Sequence, residues 1–396
     1  MPARGFRRRL SADARRIVLA QAARALAYGL GSVLIGVTLA HRGLSGTRAG
    51  VVLAGLLAGT ALASVLIGRY GDRFGRRRAY RLLFLTMALS GTAFALTGSL
   101  PLLVLAALTG TVSTEVVESG PFTSLEQAML PHAAQGRDPT RLFGTYNTVA
   151  VLAGSVGALL ALAGSSAHWL LAYPVAAAAG LLATAGLSAD VEVVNVEHRP
   201  PLHHSKPIVR RLAALFALDS FGGGFVPQTF IAYLFVRKYG ASTHALAEVF
   251  FAVGVLQALS FQAAVRLAER FGLLRTMVYS HLPSNALLAG VAFAPNLAWA
   301  IALLLGRSLL SQMDVPTRQA YLVAVVDPTE RTAAAAYTNT ARYVTRPVAP
   351  LLAGVALRGA LGAPFVIAGA LKSLYDVGLY AIFRSVPVDL PERDRP

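Results

Sequence analysis

Charged side chains inside long apolar stretches are the residues of this chain best suited to chemistry. In the stretch 298–326, Arg307, Ser311, Asp314 and Arg318 follow at spacings of four, three and four residues, so they share one helical face. Such charges must pair or face water, because an isolated charge in an apolar medium is costly. A carboxylate in this setting can also take up a proton, since burial favours its neutral form. We expect Asp314 and Arg318, one turn apart, to pair directly.

A second set of embedded acids lies in the stretch 101–130. Glu115 and Glu118 share a helical face and precede Gly120-Pro121, where the proline is expected to break the helix. We expect Asp314 to stay ionised beside its arginine. Glu118 or Glu115, and after them Asp314, are therefore our candidates for a group that couples proton movement to another process.

Embedded cations offer a different chemistry. Arg342 and Arg346 stand one turn apart in the stretch 332–357, and Arg307 is a third cation of this kind. Together they are able to hold the carboxylate or phosphate of an anionic substrate. The alternative is that Arg342 and Arg346 neutralise the two glutamates across the bundle.

Composition disfavours several classes of function. The chain has no cysteine, which excludes disulfides, thiolate metal sites and cysteine nucleophiles. It shows no phosphate-binding glycine loop, metal-ligand spacing or nucleophile elbow, so we predict neither an enzyme nor a cofactor or metal site. The net charge of +17 comes from arginines in short segments between apolar stretches, which argues against nucleic acid as a partner.

The elements that position these residues are predicted to be membrane-spanning helices. Hydrophobic residues make up 55% of the chain and charged residues 14%, whereas soluble domains carry about 25% charge. Twelve apolar stretches have the length of roughly 20 residues that a bilayer requires. They are 17–40, 51–67, 82–100, 101–130, 142–164, 169–187, 212–236, 245–265, 276–294, 298–326, 332–357 and 364–383.

The distribution of arginine predicts the orientation. Most loop Lys and Arg fall on one side of the twelve spans, and this side is predicted to be cytoplasmic, together with both termini. The outer loops hold only five: Arg42, Arg48, Arg237, Lys238 and Arg358. The predicted organisation is a basic tail (1–16), a six-helix bundle (17–188), a linker (189–211), a second six-helix bundle (212–384) and a cytoplasmic tail (385–396).

A repeated motif links the two halves. Arg69-Tyr70-Gly71-Asp72-Arg73-Phe74-Gly75 returns as Arg266-Leu267-Ala268-Glu269-Arg270-Phe271-Gly272, displaced by half the length of the chain. Gly71 and Gly75 are expected to allow a tight turn, and Asp72 to accept hydrogen bonds from a neighbouring helix start. The segment Gly68-x-x-x-Asp72-Arg73-x-Gly75-Arg76-Arg77 resembles the loop motif between helices 2 and 3 of the major facilitator superfamily. Three further segments, 218–225, 281–285 and 311–319, resemble a bacterial group of this superfamily whose substrates are unassigned.

The repeat also suggests partners for embedded charges. Arg24 and Asp219 are 195 residues apart, and each lies about two turns into the first helix of its half. We expect them to face each other, either as a gating ion pair or as a permanent one. Lys372 and Asp376, one turn apart, are expected to form an internal pair.

The resemblance implies an all-α membrane protein of twelve helices in two pseudo-symmetric six-helix bundles that rock about a central site. It assigns Asp72 and Arg73 a gating role, and it places Arg24, Glu115, Glu118, Asp219, Arg307, Asp314 and Arg318 near the pathway. Our first hypothesis is therefore proton-coupled export of a small organic solute across the cytoplasmic (inner) membrane by a monomer. The alternatives are an organic-anion carrier, an uptake facilitator and, more remotely, a receptor without transport.

Overall fold

The computed structural model describes residues 11–113, 120–133, 139–192, 202–327 and 330–385, and these residues form helices, turns and loops. The α-helices of the first half are α1 (Ala12–His41), α2 (Gly46–Phe74), α3 (Arg76–Leu96), α4 (Leu100–Leu108), α5 (Pro121–Ala133), α6 (Pro139–Leu159) and α7 (Ala172–Ala185). Those of the second half are α8 (Lys206–Gly224), α9 (Gln228–Tyr239), α10 (Thr243–Phe271), α11 (Leu273–Gly290), α12 (Leu297–Ser311), α13 (Asp314–Val325), α14 (Arg331–Thr345), α15 (Val348–Ala356) and α16 (Ala363–Phe383).

These helices fall on the twelve predicted spans, and the fold class is confirmed. Seven helical segments of the described residues are each long and apolar enough to cross a bilayer without interruption. Four spans consist of two helices end to end: α4 with α5, α8 with α9, α12 with α13, and α14 with α15. Three of these divided spans carry candidate site residues that the structure describes: Asp219 in α8, Arg307, Asp314 and Arg318 in α12 and α13, and Arg342 and Arg346 in or directly after α14. An interrupted helix is tolerated in a membrane where it lines a cavity.

The breaks have a local cause in proline and glycine. Pro316 lies in the first turn of α13, where its missing N–H needs no partner, and the span is divided because α12 ends at Ser311 and α13 begins at Asp314. Pro227 stands directly before α9 in the same way. In the fourth span α4 ends at Leu108 and the described residues 109–113 are not helical, so the helix already breaks before the predicted position at Gly120-Pro121, and α5 begins at Pro121.

The repeated motif forms equivalent turns in the two halves. Gly75 separates α2 from α3 with φ of +93°, and Gly272 separates α10 from α11 with φ of +84°. Both values belong to the left-handed region that favours glycine. Gly71, however, lies inside α2, so the expected turn of two glycines is wrong and Gly75 alone makes it. We call this end of the molecule, which carries Gly75 and Gly272, the motif end.

The two halves meet at the opposite end, where α1 and α2 contact α9 and α15. The Tyr233 hydroxyl donates to the carbonyl of Leu44 at 2.9 Å. A Cβ atom added at Gly50 would lie 2.5 Å from the carbonyl oxygen of Pro350, so α2 and α15 are in backbone contact. A continuous apolar core that includes α1 and α9 fills the space between them. We call this region the sealed end.

Glycine and tyrosine contribute to close packing inside the first half. Gly157 on α6 lies directly against the backbone of Leu26 on α1. The ring of Tyr173 on α7 is fully buried, and its hydroxyl donates to the carbonyl of Ser113 at 2.8 Å.

Candidate substrate cavity

A cavity of about 210 Å³ lies between the two halves. The first half lines it with small or uncharged residues of α1 and α6, namely Gly29, Ser32, Val151, Gly154 and Ser155. The second half supplies the charged and titratable residues, which are Asp219, His281, Arg307, Asp314, Arg318, Arg342, Arg346 and Lys372. Among the described residues the chemistry of the cavity therefore comes from one half.

Asp219, on α8, is the centre of an ion network. Lys372 Nζ on α16 donates to its Oδ1, and Arg318 Nη1 on α13 donates to its Oδ2 at 3.4 Å. The same Nη1 lies 3.2 Å from Oδ2 of Asp314, one turn earlier on α13. The predicted pair of Asp314 and Arg318 is thus confirmed. All four side chains are almost completely buried, so the network stabilises charges that would be costly alone.

A second cluster adjoins this network on α11 and α16. Asp376 is fully buried; His281 Nδ1 lies 3.0 Å from its Oδ1, and Asn285 Nδ2 donates to its Oδ2 at 2.8 Å. The predicted pair of Lys372 with Asp376 is therefore wrong. Residues four apart can face the same way and still turn to different neighbours, and here Lys372 reaches Asp219 on α8.

Three arginines extend the cationic wall. Arg307 on α12 lines the cavity, and its buried Nε has no hydrogen-bond partner within the described residues. Arg342 on α14 and Arg346, directly after it, line the same cavity. The structure therefore brings all three predicted anion-binding arginines to one site.

The described part of the cavity wall is amphipathic, and its cationic side chains outnumber its carboxylates. Among the described residues, five cationic side chains line the cavity together with the two carboxylates of Asp219 and Asp314. Apolar side chains form another part of the wall: Val226, Ile231, Phe250, Val253, Phe261 and Leu304. The described residues hold no group of three His, Cys, Asp or Glu side chains suited to a metal ion.

Arg24 lies in a separate, enclosed network of the first half. Its Nη2 donates to Oε2 of Glu126 at 2.7 Å, and the Tyr80 hydroxyl donates to Oε1 at 2.6 Å. The Tyr146 hydroxyl is a third donor to Glu126, which is fully buried. The guanidinium also stacks on Phe122, with Cζ 4.9 Å from the ring centroid. The predicted pair of Arg24 with Asp219 is therefore wrong, because each residue is neutralised within its own half.

At the motif end, Asp72 and Arg73 are both exposed at the end of α2. Asp72 accepts from Nε of the buried Arg76 at 2.7 Å rather than from a helix start. The helix start of α3 is instead capped by Glu192, which accepts from the amides of Arg76 and Arg77 at 2.7 and 3.2 Å. The expected capping role of Asp72 thus belongs to a residue 116 positions away from Arg76.

Glu330 caps a helix of the second half in a similar way. It accepts from the amides of His203, His204 and Ser205 at 2.7, 2.9 and 2.8 Å, at the start of α8. The hydrogen bond from the Ser205 amide is the main cause that lowers the pKa of Glu330 to about 2. For Glu192, burial raises the pKa, but the amides of Arg77 and Arg76 outweigh it and hold the pKa below its ordinary value.

Two predicted site residues and two residues not predicted remain to be placed. Glu115 and Glu118 lie outside the described residues. His281 and Glu126 were not among the site candidates, although a lone histidine and a fully embedded glutamate were both visible in apolar stretches. Their importance depends on partners 95 and 102 positions away, which no spacing in the chain indicates.

Twelve helical spans in two halves around a polar central cavity define a multi-pass membrane transporter. The sequence model of the Major Facilitator Superfamily matches residues 17–350, and the chain belongs to this family. A relative from Saccharomyces cerevisiae, the "Uncharacterized membrane protein YJR124C", is 25% identical over 419 residues, which cover 93% of this chain and 94% of the relative.

Solved structures show the same fold. The nucleoside transporter NupG superposes with a TM-score of 0.76 at 13% identity, covering 94% of this chain and 99% of NupG. The human organic anion transporter MFSD10 (TETRAN) superposes with a TM-score of 0.65 at 18% identity, covering 93% of this chain and 99% of MFSD10. At these identities the likeness extends to the fold alone.

Proposed function

We propose that this transporter carries small organic anions across the cytoplasmic membrane by alternating access. The observation that carries the proposal is the charge of the described cavity wall, where five cationic side chains stand against two carboxylates. A cationic solute would meet repulsion there, whereas an anion would replace water around cations that are already partly desolvated.

The arrangement of the wall suggests how such an anion binds. Arg307 has a buried Nε without a partner among the described residues, and Arg342 and Arg346 line the same cavity. The apolar part of the wall, with Phe250 and Phe261, suits a hydrophobic body. We therefore propose a carboxylate or sulfonate with a small apolar or aromatic body. MFSD10 is named an organic anion transporter, but the cavity and not that likeness supports the proposal.

Alternating access requires the sealed end to open while the motif end closes. We propose that the sealed end faces outward and both termini face the cytoplasm, because the loop arginines are concentrated at the motif end. Asp72 and Arg73, with Arg76, are proposed to rearrange when the motif end closes. The transporter is proposed to act as a monomer.

Proton-coupled export, our first hypothesis from the sequence, is the competing proposal. Its preferred coupling residues, Glu118 and Glu115, lie outside the described residues, and Asp314 is already paired with Arg318. The two proposals differ in the charge of the substrate, and this difference can be measured directly.

The test compares three ligands that share one ring. Benzenesulfonate is a permanent anion, benzenesulfonamide is neutral, and benzyltrimethylammonium is a permanent cation. A ligand that binds only the folded state raises the apparent melting temperature. We expect a concentration-dependent rise with benzenesulfonate alone, and uptake of radiolabelled benzenesulfonate into proteoliposomes. A rise with the cation and none with the anion would reject the proposal in favour of the cation exporter.

Substitution locates the binding group. Arg307→Gln is expected to weaken benzenesulfonate binding about tenfold or more, because a hydrogen bond to a charged group is lost. Arg358→Gln is the matched control, since Arg358 is exposed in a loop away from the cavity. Equal affinities of the two variants would show that Arg307 does not bind the anion.

A further inference from the structure

His281 contacts the cavity on one side and a buried carboxylate on the other. It lies on α11, and only 2% of its surface is exposed. Its Nδ1 lies 3.0 Å from Oδ1 of Asp376, whereas its Nε2 lies 4.0 Å from Oδ1 of Asp219. The imidazole therefore lies between the buried carboxylate of Asp376, which is not among the residues that line the cavity, and the carboxylate of Asp219, which is.

The hydrogen bonds around Asp376 set the tautomer of the ring. His281 Nδ1 lies within 3.0 and 3.1 Å of the two carboxylate oxygens, and Asn285 Nδ2 donates to Oδ2 at 2.8 Å. Because a carboxylate only accepts, Nδ1 of the neutral ring carries the hydrogen and Nε2 keeps the lone pair. That lone pair is on the side of Asp219, where an arriving proton would bind.

The charged surroundings of His281 come from every element packed around it. Asp376 and Tyr375 on α16 and Asp219 on α8 lie next to the ring. The other charged groups of the neighbouring elements line the same cavity as His281: Lys372 on α16, Arg307 on α12, and Asp314 and Arg318 on α13. The part of α10 that lines the cavity adds no titratable side chain among the described residues. A positive charge on His281 would be attracted by the carboxylates of Asp376 and Asp219 and repelled by the cations of the cavity wall, and a bound anion would reduce this repulsion.

We propose that His281 binds the proton that this transporter moves together with its anion, so that one proton and one monoanion cross in the same direction. The proton binds at Nε2 and no covalent bond of the substrate changes. This inference rests on the proposed function, because it takes the substrate to be an anion. In this proposal the coupling group is the imidazole of His281 and not a carboxylate such as Glu118, Glu115 or Asp314.

The proposal has a structural consequence for the ion network. A protonated Nε2 donates towards Asp219 and competes there with Lys372, whose ammonium becomes available to the bound anion. Proton and anion then favour each other's binding by the same factor, as linkage requires. The loaded cavity carries the same net charge as the empty one, so transport moves no net charge across the membrane.

The first measurement uses the unmodified, full-length protein and benzenesulfonate, whose own charge does not change with pH. Titration calorimetry in two buffers of different protonation enthalpy gives the number of protons taken up per bound anion. We expect proton uptake, and about tenfold tighter binding when the pH falls from 8 to 6, because the bound proton and the bound anion favour each other's binding. Binding without proton uptake, or with an affinity independent of pH, would overturn the proposal.

Variants assign the proton to a residue. In proteoliposomes we expect His281→Gln to exchange benzenesulfonate across the membrane, more weakly than wild type, and to lose accumulation driven by a pH gradient. His244→Gln is the matched control, because His244 is two-thirds exposed at the start of α10, and it should accumulate benzenesulfonate as wild type does. Exchange also shows that a variant is folded.

The outcomes separate the two proposals. If benzenesulfonate neither binds nor exchanges in the wild type, the proposed function fails. If it binds and exchanges but His281→Gln still accumulates it along a pH gradient, only the role of His281 fails. If the wild-type protein takes up protons and this variant does not, the proposal is supported.

Discussion

Replacing Glu126 by glutamine should strongly destabilise the first half. Glu126 is fully buried and accepts from Arg24, Tyr80 and Tyr146. Glutamine has the same shape but one acceptor oxygen and no charge. If its carbonyl oxygen accepts from Arg24 and Tyr146, its NH2 group must face Tyr80. The hydroxyl of Tyr80 can rotate to accept that amide, but the positive charge of Arg24 stays buried without its counter-ion.

The magnitude follows from that uncompensated charge. Removing one partner of a buried ion pair costs about 3–5 kcal/mol. Because glutamine keeps the shape of glutamate, we expect Glu126→Gln to lower the free energy of unfolding by about 3 kcal/mol. Glu248→Gln is the matched control, because Glu248 is two-thirds exposed and should change stability by less than about 0.5 kcal/mol. The free energy of unfolding is measured by titration with sodium dodecyl sulfate in mixed micelles.

A double-mutant cycle tests the assignment. Arg24→Met removes the orphaned cation, so the pair Arg24→Met and Glu126→Gln should be less destabilised than the sum of the single changes by about 2 kcal/mol. Additive effects, or a Glu126→Gln protein as stable as the control, would refute the ion pair as the main stabilising contact of this network.

Two further predictions concern the ends of the molecule. Gly50→Val should force α2 and α15 apart at the sealed end, because a Cβ atom at position 50 would lie 2.5 Å from the Pro350 carbonyl oxygen. A thiol reagent should then label an added cysteine near Leu44 faster than in the protein with Gly50. An unchanged labelling rate would contradict this prediction. No native cysteine interferes with that label. Glu330 has a folded pKa of about 2 against an ordinary value of 4.5, so its contribution to stability is present above pH 4.5 and is lost as the pH falls towards about 2. Glu330→Gln should therefore melt at a lower temperature than wild type at neutral pH and converge with it in acid, and parallel melting curves would contradict this.

Local features of the fold could be predicted from the sequence because their causes are local. Apolar stretches of bilayer length predict the twelve spans. The pair of Asp314 and Arg318 follows from one helical turn of separation. Gly75 and Gly272 keep the left-handed turn of the motif because only glycine adopts it without strain.

The partners of embedded charges could not be predicted in the same way. Arg24 and Asp219 occupy comparable places in the repeat, but that equivalence says nothing about which charge each one meets. Arg24 is neutralised by Glu126 on α5, and Asp219 by Lys372 on α16, at separations of 102 and 153 residues. Such contacts are set by how whole helices pack, and spacing along a single helix carries no information about them.

The two halves of the cavity differ in a way that bears on which substitutions could change the preferred solute. The described residues that the first half contributes to the cavity are small or uncharged, and its own buried ion pair is enclosed by aromatic rings. The second half contributes all the described charges of the cavity. Substitutions that change the preferred solute are therefore expected in the second half, while the described residues of the first half form an uncharged surface opposite them.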